Sequence, residues 1–239
     1  MTRRRWIADE VSGNRATLVG EHADHLVRVL RARVGQEFDI ATGKVVRRGR
    51  ITSLADGRVE FDLGEEVSGL LSPEITLFLA VFKFDRMEWA IEKCTELGVS
   101  RIVPVIAKRT DTHLAAASGK RVERWQRIAR QAAEQSRRPS SPDILVPAKF
   151  GDAIILFHGL RIALAESEEQ TFLRDVLKAK VSRDPVSLAI GPEGGWTEDE
   201  LKAFRDAGWI SASLGGTILR AETAAIAAVA VVMSSLSVF

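Results

Sequence analysis

Two glycine turns lying close together near the C-terminal end constrain this chain more than any other feature. The first, Ala189-Ile190-Gly191-Pro192-Glu193-Gly194-Gly195, follows an apolar run that starts at Val186. The second, Leu214-Gly215-Gly216-Thr217-Ile218-Leu219-Arg220, leads into an alanine-rich stretch that runs to about Met233. Between them, Thr197 with Glu200 three positions on spells a capping box and Gly208 supplies a stop, which predicts an intervening helix. Glycine admits positive φ and lets backbone approach a ligand closely. A strand, a glycine turn and a helix, used twice, is how α/β proteins open a crevice at the carboxyl ends of strands. Plain connections would carry the same glycines, so the pattern alone leaves both readings open.

Upstream, residues 75–82 form a continuous apolar run of the kind buried in a parallel sheet. A helix is expected over 85–97, capped by Asp85 with Glu88, with Met87, Ala90, Ile91, Cys94 and Leu97 inward and Gly98 as its stop. The apolar run 101–106 then completes a right-handed βαβ unit. A helix over 120–136 puts Val122, Trp125, Ala129 and Ala132 inward. Residues 155–157, 161–165 and 186–190 read as strands and 168–180 as a helix. The first 70 residues differ: five short runs (6–8, 15–19, 37–41, 49–54 and 58–63) alternate with turn residues, interrupted by helical spacing over 21–33. This reads as a small β barrel, with a domain boundary between residues 63 and 72.

Charge separates along the chain in a way the net of +2 hides. Residues 1–50 carry a net +5 and residues 101–149 a net +7, while the rest is acidic. Two basic segments in an acidic background suit an anionic macromolecular partner, although a solvated surface explains charge equally well. One cysteine excludes an intrachain disulfide framework and suits a reducing compartment. Cys94, on the inward stripe, reads as core. No apolar run reaches the roughly 20 residues of a membrane helix, and the N-terminal arginines lack the hydrophobic region of a signal peptide, so a cytoplasmic protein is expected. No phosphate-binding loop, serine elbow or metal-ligand spacing is present, so no metal is expected.

Ile190-Gly191-Pro192-Glu193-Gly194-Gly195, followed by Leu214-Gly215 and Ile218-Leu219-Arg220-Ala221-Glu222-Thr223-Ala224, resembles the RsmE family of ribosomal RNA methyltransferases. His25-Leu26-Val27-Arg28-Val29-Leu30-Arg31, Met87-Glu88-Trp89, Lys93-Cys94-Thr95-Glu96-Leu97-Gly98-Val99 and Glu134-Gln135-Ser136 extend the resemblance over most of the chain. It implies an α/β fold in which a C-terminal SPOUT-type, trefoil-knotted methyltransferase domain (73–239) follows a small N-terminal PUA-like β-barrel domain (1–72) that binds RNA. It implies S-adenosylmethionine as cofactor, 16S ribosomal RNA as partner, within an assembled small subunit, and a homodimer built through the C-terminal domain. The reaction implied is methylation of N3 of a uridine; a non-catalytic RNA-binding protein that keeps the knot as scaffold is the alternative. Arg137-Arg138-Pro139 and Thr217 depart from the family pattern, which more often has a glycine and a basic residue there.

The resemblance also places the site. Leu164, Ala165, Glu166, Ile190, Gly191, Pro192, Glu193, Gly194, Leu214, Gly215, Ile218 and Leu219 would wall the cofactor, with Gly194 against the adenine. Arg3, Arg4, Arg5, His25, Arg28, Arg31, Lys83, Arg109, Arg137 and Arg138 would meet RNA; Arg28 and Arg31 are equally readable as surface arginines. Arg220 and Glu222 are the catalytic candidates. A uridine N3 carries a proton and is a poor nucleophile until that proton leaves, so the site needs an acceptor and a group for the imide charge. Arg220 suits the charge or a helix-start ion pair with Glu222. Glu193 or Glu222 suits the proton or the bracing of a loop.

Overall fold

The computed structural model describes residues 5–43, 45–55, 57–68, 74–156, 158–179 and 184–236. The chain divides into two units, Met1–Leu71 with Ala133–Ser141, and Ser72–Ala132 with Pro142–Phe239.

The first unit holds β1 (Arg5–Ile7), β2 (Glu10–Ser12), β3 (Arg15–Val19), α1 (Glu21–Asp24), β4 (Glu37–Ala41), β5 (Val46–Ala55) and β6 (Arg58–Ser68). The strands form a curled six-stranded sheet in the order β1-β4-β5-β6-β3-β2, antiparallel except for the β1–β4 pair. Leu18, Leu26, Ile40, Ile51 and Phe61 fill its core. The helix expected over 21–33 is shorter. After α1 the chain widens into a π turn over His25–Val29 and ends where Arg31 takes φ +49°. β6 runs on to Ser68, through most of the stretch expected as a boundary.

The second unit is an α/β sandwich. Its strands are β7 (Ile75–Ala80), β8 (Arg101–Ile106), β9 (Asp143–Ile144), β10 (Ala148–Lys149), β11 (Leu160–Leu164), β12 (Val186–Ile190) and β13 (Ile210–Ala212). All pair in parallel, in the order β10-β8-β7-β12-β11-β13 with β9 also on β8. Its helices are α2 (Phe84–Glu96), α3 (Thr112–Ser118), α4 (Val122–Gln135), α5 (Phe150–Ala153), α6 (Leu173–Ala179), α7 (Glu198–Asp206) and α8 (Ala221–Ser235).

Parallel strands need crossovers, and a right-handed crossover fixes the face each helix covers by the direction in which the chain moves along the sheet. From β7 to β8 and from β11 to β12 the chain moves one way, and α2 and α6 lie on one face with α8 and Trp125 and Ala129 of α4. From β10 to β11 and from β12 to β13 it moves the other way, and α5 and α7 cover the opposite face with Trp196, Phe204 and Trp209. The segment from Ser213 to Arg220 therefore crosses from one face to the other over the carboxyl ends of the strands. Among the described residues no helix is long and apolar enough to cross a membrane.

Several local expectations change. Thr197 and Glu200 make both bonds of the capping box, and Gly208 ends the turn after α7 at φ +77°. The box expected at Asp85 and Glu88 does not form. Lys83 stands at the N-cap of α2 with no side-chain cap, and Glu88 instead takes the Arg124 guanidinium at 2.6 and 2.8 Å. Residues 155 and 156 follow α5 as an exposed turn rather than a strand, and Phe157 lies outside the described residues. The helix expected from residue 168 starts at Leu173, because Glu168 accepts from the Gln170 and Thr171 amides and closes a turn first.

Candidate functional site

Where β11, β12 and β13 end, three loops enclose a cavity of about 570 Å³. It opens beside the point where strand order reverses, β7 being flanked by β8 on one side and β12 on the other, the position at which open α/β sheets bind ligands. Leu164, Ala165, Glu166, Ile190, Gly191, Pro192, Glu193, Leu214, Gly215, Ile218 and Leu219 all line it, as do Arg220 and Arg86.

Hydrogen bonds hold the walls. Trp196 is buried, and its indole N–H donates to the Leu164 carbonyl at 3.1 Å, tying the first glycine turn to the end of β11. Ser213 exchanges backbone bonds with Thr171 and Leu173, so the chain after β13 is laced to the loop after β11. Arg109 donates to the Gly194 carbonyl at 2.5 Å and, at 3.4 Å, to that of Trp196. Glu200 accepts from the Lys108 amide at 2.7 Å while completing its capping box. The turn is therefore fixed from outside before any ligand arrives.

Gly194 is not on the wall. A Cβ there would sit 3.3 Å from Cδ of Arg109, so the open side of this glycine faces that arginine. Gly216 does line the cavity, and a Cβ on it would meet nothing within 4 Å. Glu222 is also off the wall. Along α8 residues 221 and 224 face the cavity, and a helix turns about 100° per residue, which swings residue 222 inward. It is buried at 4% exposure, and its Oε1 lies 3.9 Å from Nε of Arg86. Arg86 also donates to Oε1 of Glu193 at 2.7 Å. The helix-start ion pair open to Arg220 is thus made by Arg86, a residue the motifs did not single out. Arg220 is exposed at the N-cap of α8.

The residues expected to meet RNA are scattered in character. Arg28, Arg31, Lys83, Arg109 and Arg137 are exposed, Arg28 lying 3.7 Å from Asp24. His25 packs its ring against Trp6, centroids 5.7 Å apart, and Arg5 donates to the Arg137 carbonyl. Arg138 is partly buried, and desolvation pulls its guanidinium down to about 10. Arg3 and Arg4 lie outside the described residues. Cys94 is wholly buried in the core and its thiol is pushed far above the ordinary range.

A family model described as an RNA methyltransferase domain matches residues 71–233. Ribosomal RNA small subunit methyltransferase E from Synechocystis is 34% identical over 90% of this chain and 71% of its own length. The chain belongs to the ribosomal RNA small subunit methyltransferase E family. The Aquifex aeolicus member is 29% identical over 95% of this chain and 97% of its own. The fold agrees with a crystal structure of the Neisseria gonorrhoeae member bound to S-adenosyl methionine, at a TM-score of 0.83 and 30% identity, over 98% of each chain.

The residues present fit such a ligand. The volume lies in the range of sites for small organic ligands. Leu164, Ile190, Leu214 and Leu219 give flat apolar walls, and the loops give backbone donors and acceptors. Ser213 lines the cavity, and its buried hydroxyl has no hydrogen-bond partner among the described residues, the kind of polar group a ligand's polar edge satisfies.

Proposed function

We propose that this chain transfers a methyl group from S-adenosylmethionine to N3 of a uridine in small-subunit 16S ribosomal RNA. The cavity at the ends of β11, β12 and β13 carries the proposal, together with membership of the family. S-adenosylmethionine supplies a methyl made electrophilic by its sulfonium. Leu164, Ala165, Ile190, Gly191, Pro192, Leu214, Gly215 and Leu219 would hold it, with Glu166, Glu193 and Ile218 at the margin; Gly194 supports the turn from behind.

The chain's own work is to hold the base and manage its charge. Arg220 is assigned the negative charge that grows on the imide as N3 loses its proton, a task suited to a cation already at the site. Of the two carboxylates, Glu193 lines the cavity, and Arg86 engages only its Oε1, so its Oε2 is assigned the N3 proton. Glu222, buried behind Arg86, serves as counter-charge. The lone pair of N3 then forms the new N–C bond as the bond between the methyl and sulfur breaks, its electron pair leaving on sulfur as a neutral thioether. The base must be drawn out of its surroundings to meet the methyl, which needs a grip on the flanking RNA.

We assign that grip to the first unit, read as a PUA-like domain, with Arg28 and Arg31 on phosphates. We read the crossing of residues 213–220, laced to residues 171–173, as part of a SPOUT trefoil knot. The outward face of α8, with half-buried Ile226, Ala227, Ala230 and Val231, is assigned to a homodimer contact. The setting is the cytoplasm, with an assembled small subunit as substrate.

Calorimetric titration with S-adenosylmethionine tests the donor site. The unaltered chain is expected to bind, and Gly216→Trp, which sets an indole on the wall without backbone strain, is expected to abolish binding. Unchanged affinity in that variant would move the donor elsewhere.

A further inference from the structure

We infer that Arg86 holds the carboxylate of the methionine moiety of S-adenosylmethionine, a role that rests on the cavity being the donor's site. Arg86 stands on the first turn of α2 and lines the cavity. Its Nη1 donates to Glu193 at 2.7 Å and its Nε lies 3.9 Å from Glu222. Glu193 belongs to the first glycine turn, and Glu222 opens the helix that follows the second. One guanidinium is thus pinned from two directions by carboxylates of both motifs, which leaves Nη2 for a ligand.

The ligand's chemistry narrows the choice. Its only anionic group is the carboxylate, and the charged side chains on the cavity wall are Arg86, Arg220, Glu166, Glu168, Glu169 and Glu193. Among the charged side chains, its counter-charge is one of the two arginines. A guanidinium matches a carboxylate through a planar fork, and one already immobilised loses little freedom on binding. Arg86 is such a group. Arg220 is exposed, with no carboxylate partner among the described residues, and suits a larger anion that arrives separately, the RNA base. Glu222 explains why the pinning is stable: a buried carboxylate whose Oε2 has no partner needs a cation nearby.

The test compares two ligands that differ in the group Arg86 would read. S-adenosylmethionine carries the carboxylate; its decarboxylated form keeps the adenosine, the sulfonium with its methyl and the amine but lacks it. Both are titrated by calorimetry into the unaltered chain, Arg86→Gln and Arg86→Lys. Arg86→Gln should weaken S-adenosylmethionine roughly tenfold to a hundredfold, the worth of a charge-assisted hydrogen bond. The decarboxylated ligand should bind all three proteins alike, which also shows that the variants fold, and Arg86→Lys should recover part of the loss. An equal loss for both ligands would make Arg86 a brace of the glycine turn and overturn the assignment, as would undiminished S-adenosylmethionine binding. Failure of the unaltered chain to bind S-adenosylmethionine would overturn the donor site itself and this assignment with it.

Discussion

Trp196 joins two walls of the cavity through one bond, from its indole N–H to the Leu164 carbonyl. Trp196→Phe keeps the edge-on and tilted ring contacts with Phe204 and Phe150 but strands a buried carbonyl. It should cost about 1–3 kcal/mol in denaturant unfolding, and a value near zero would mean the walls are held some other way. Arg220 is the opposite case, exposed and outside any described ion pair. Arg220→Ala should lower the methylation rate by about a hundredfold to a thousandfold while leaving the donor dissociation constant within twofold; parallel loss of binding and rate would make it a pocket residue only. At this scale the sequence was readable where a motif names its own neighbours, and eleven of the twelve expected wall residues do line the cavity. It was not readable where side-chain direction or distant pairing decides. Gly194 lies within its motif yet faces Arg109, and Arg86 meets its carboxylates 107 and 136 positions later.

Elements were legible in proportion to how local their causes are. Thr197, Glu200 and Gly208 bound α7 by contacts within a few residues, and the stripe Met87, Ala90, Ile91, Cys94 is buried as its spacing implies. Where the helix start shifts, the local reading fails: α2 begins with Lys83 at its N-cap, so Asp85 and Glu88 fall inside the helix and Glu88 pairs with Arg124 instead. α3 carries little sequence pattern of its own, although Asp111 accepts from the His113 and Leu114 amides at its N-cap, because one cap over seven residues is too short a signal to stand out. Those two amides hold the Asp111 carboxyl below its ordinary value. A carboxyl depressed in the folded state stabilises above its unfolded value, and that contribution is lost as pH falls through the folded one. Asp111→Asn, which removes the titration, should therefore narrow the difference in melting temperature between about pH 5 and pH 3 relative to the unaltered chain. An identical pH dependence would show that this cap does not contribute.

At the scale of the whole molecule, runs of apolar residues announced a parallel sheet, but not its order. Strand order β10-β8-β7-β12-β11-β13 depends on which crossover skips a neighbour, and β13, three residues long, carries too little pattern to be seen. Yet that order brings the ends of β11, β12 and β13 around one cavity, with Arg86 from α2 added to the wall. Basic segments, curled sheet and cavity then combine into one reading, methyl transfer to ribosomal RNA. The most direct test is incubation of the purified chain with S-adenosylmethionine and small ribosomal subunits that lack the modification, followed by digestion of the RNA to nucleosides. Methyl transfer to uridine N3 should leave 3-methyluridine in the digest, formed on assembled subunits in preference to free RNA and lost with Arg220→Ala. No methylated nucleoside, or a methyl group on any other atom, would contradict it.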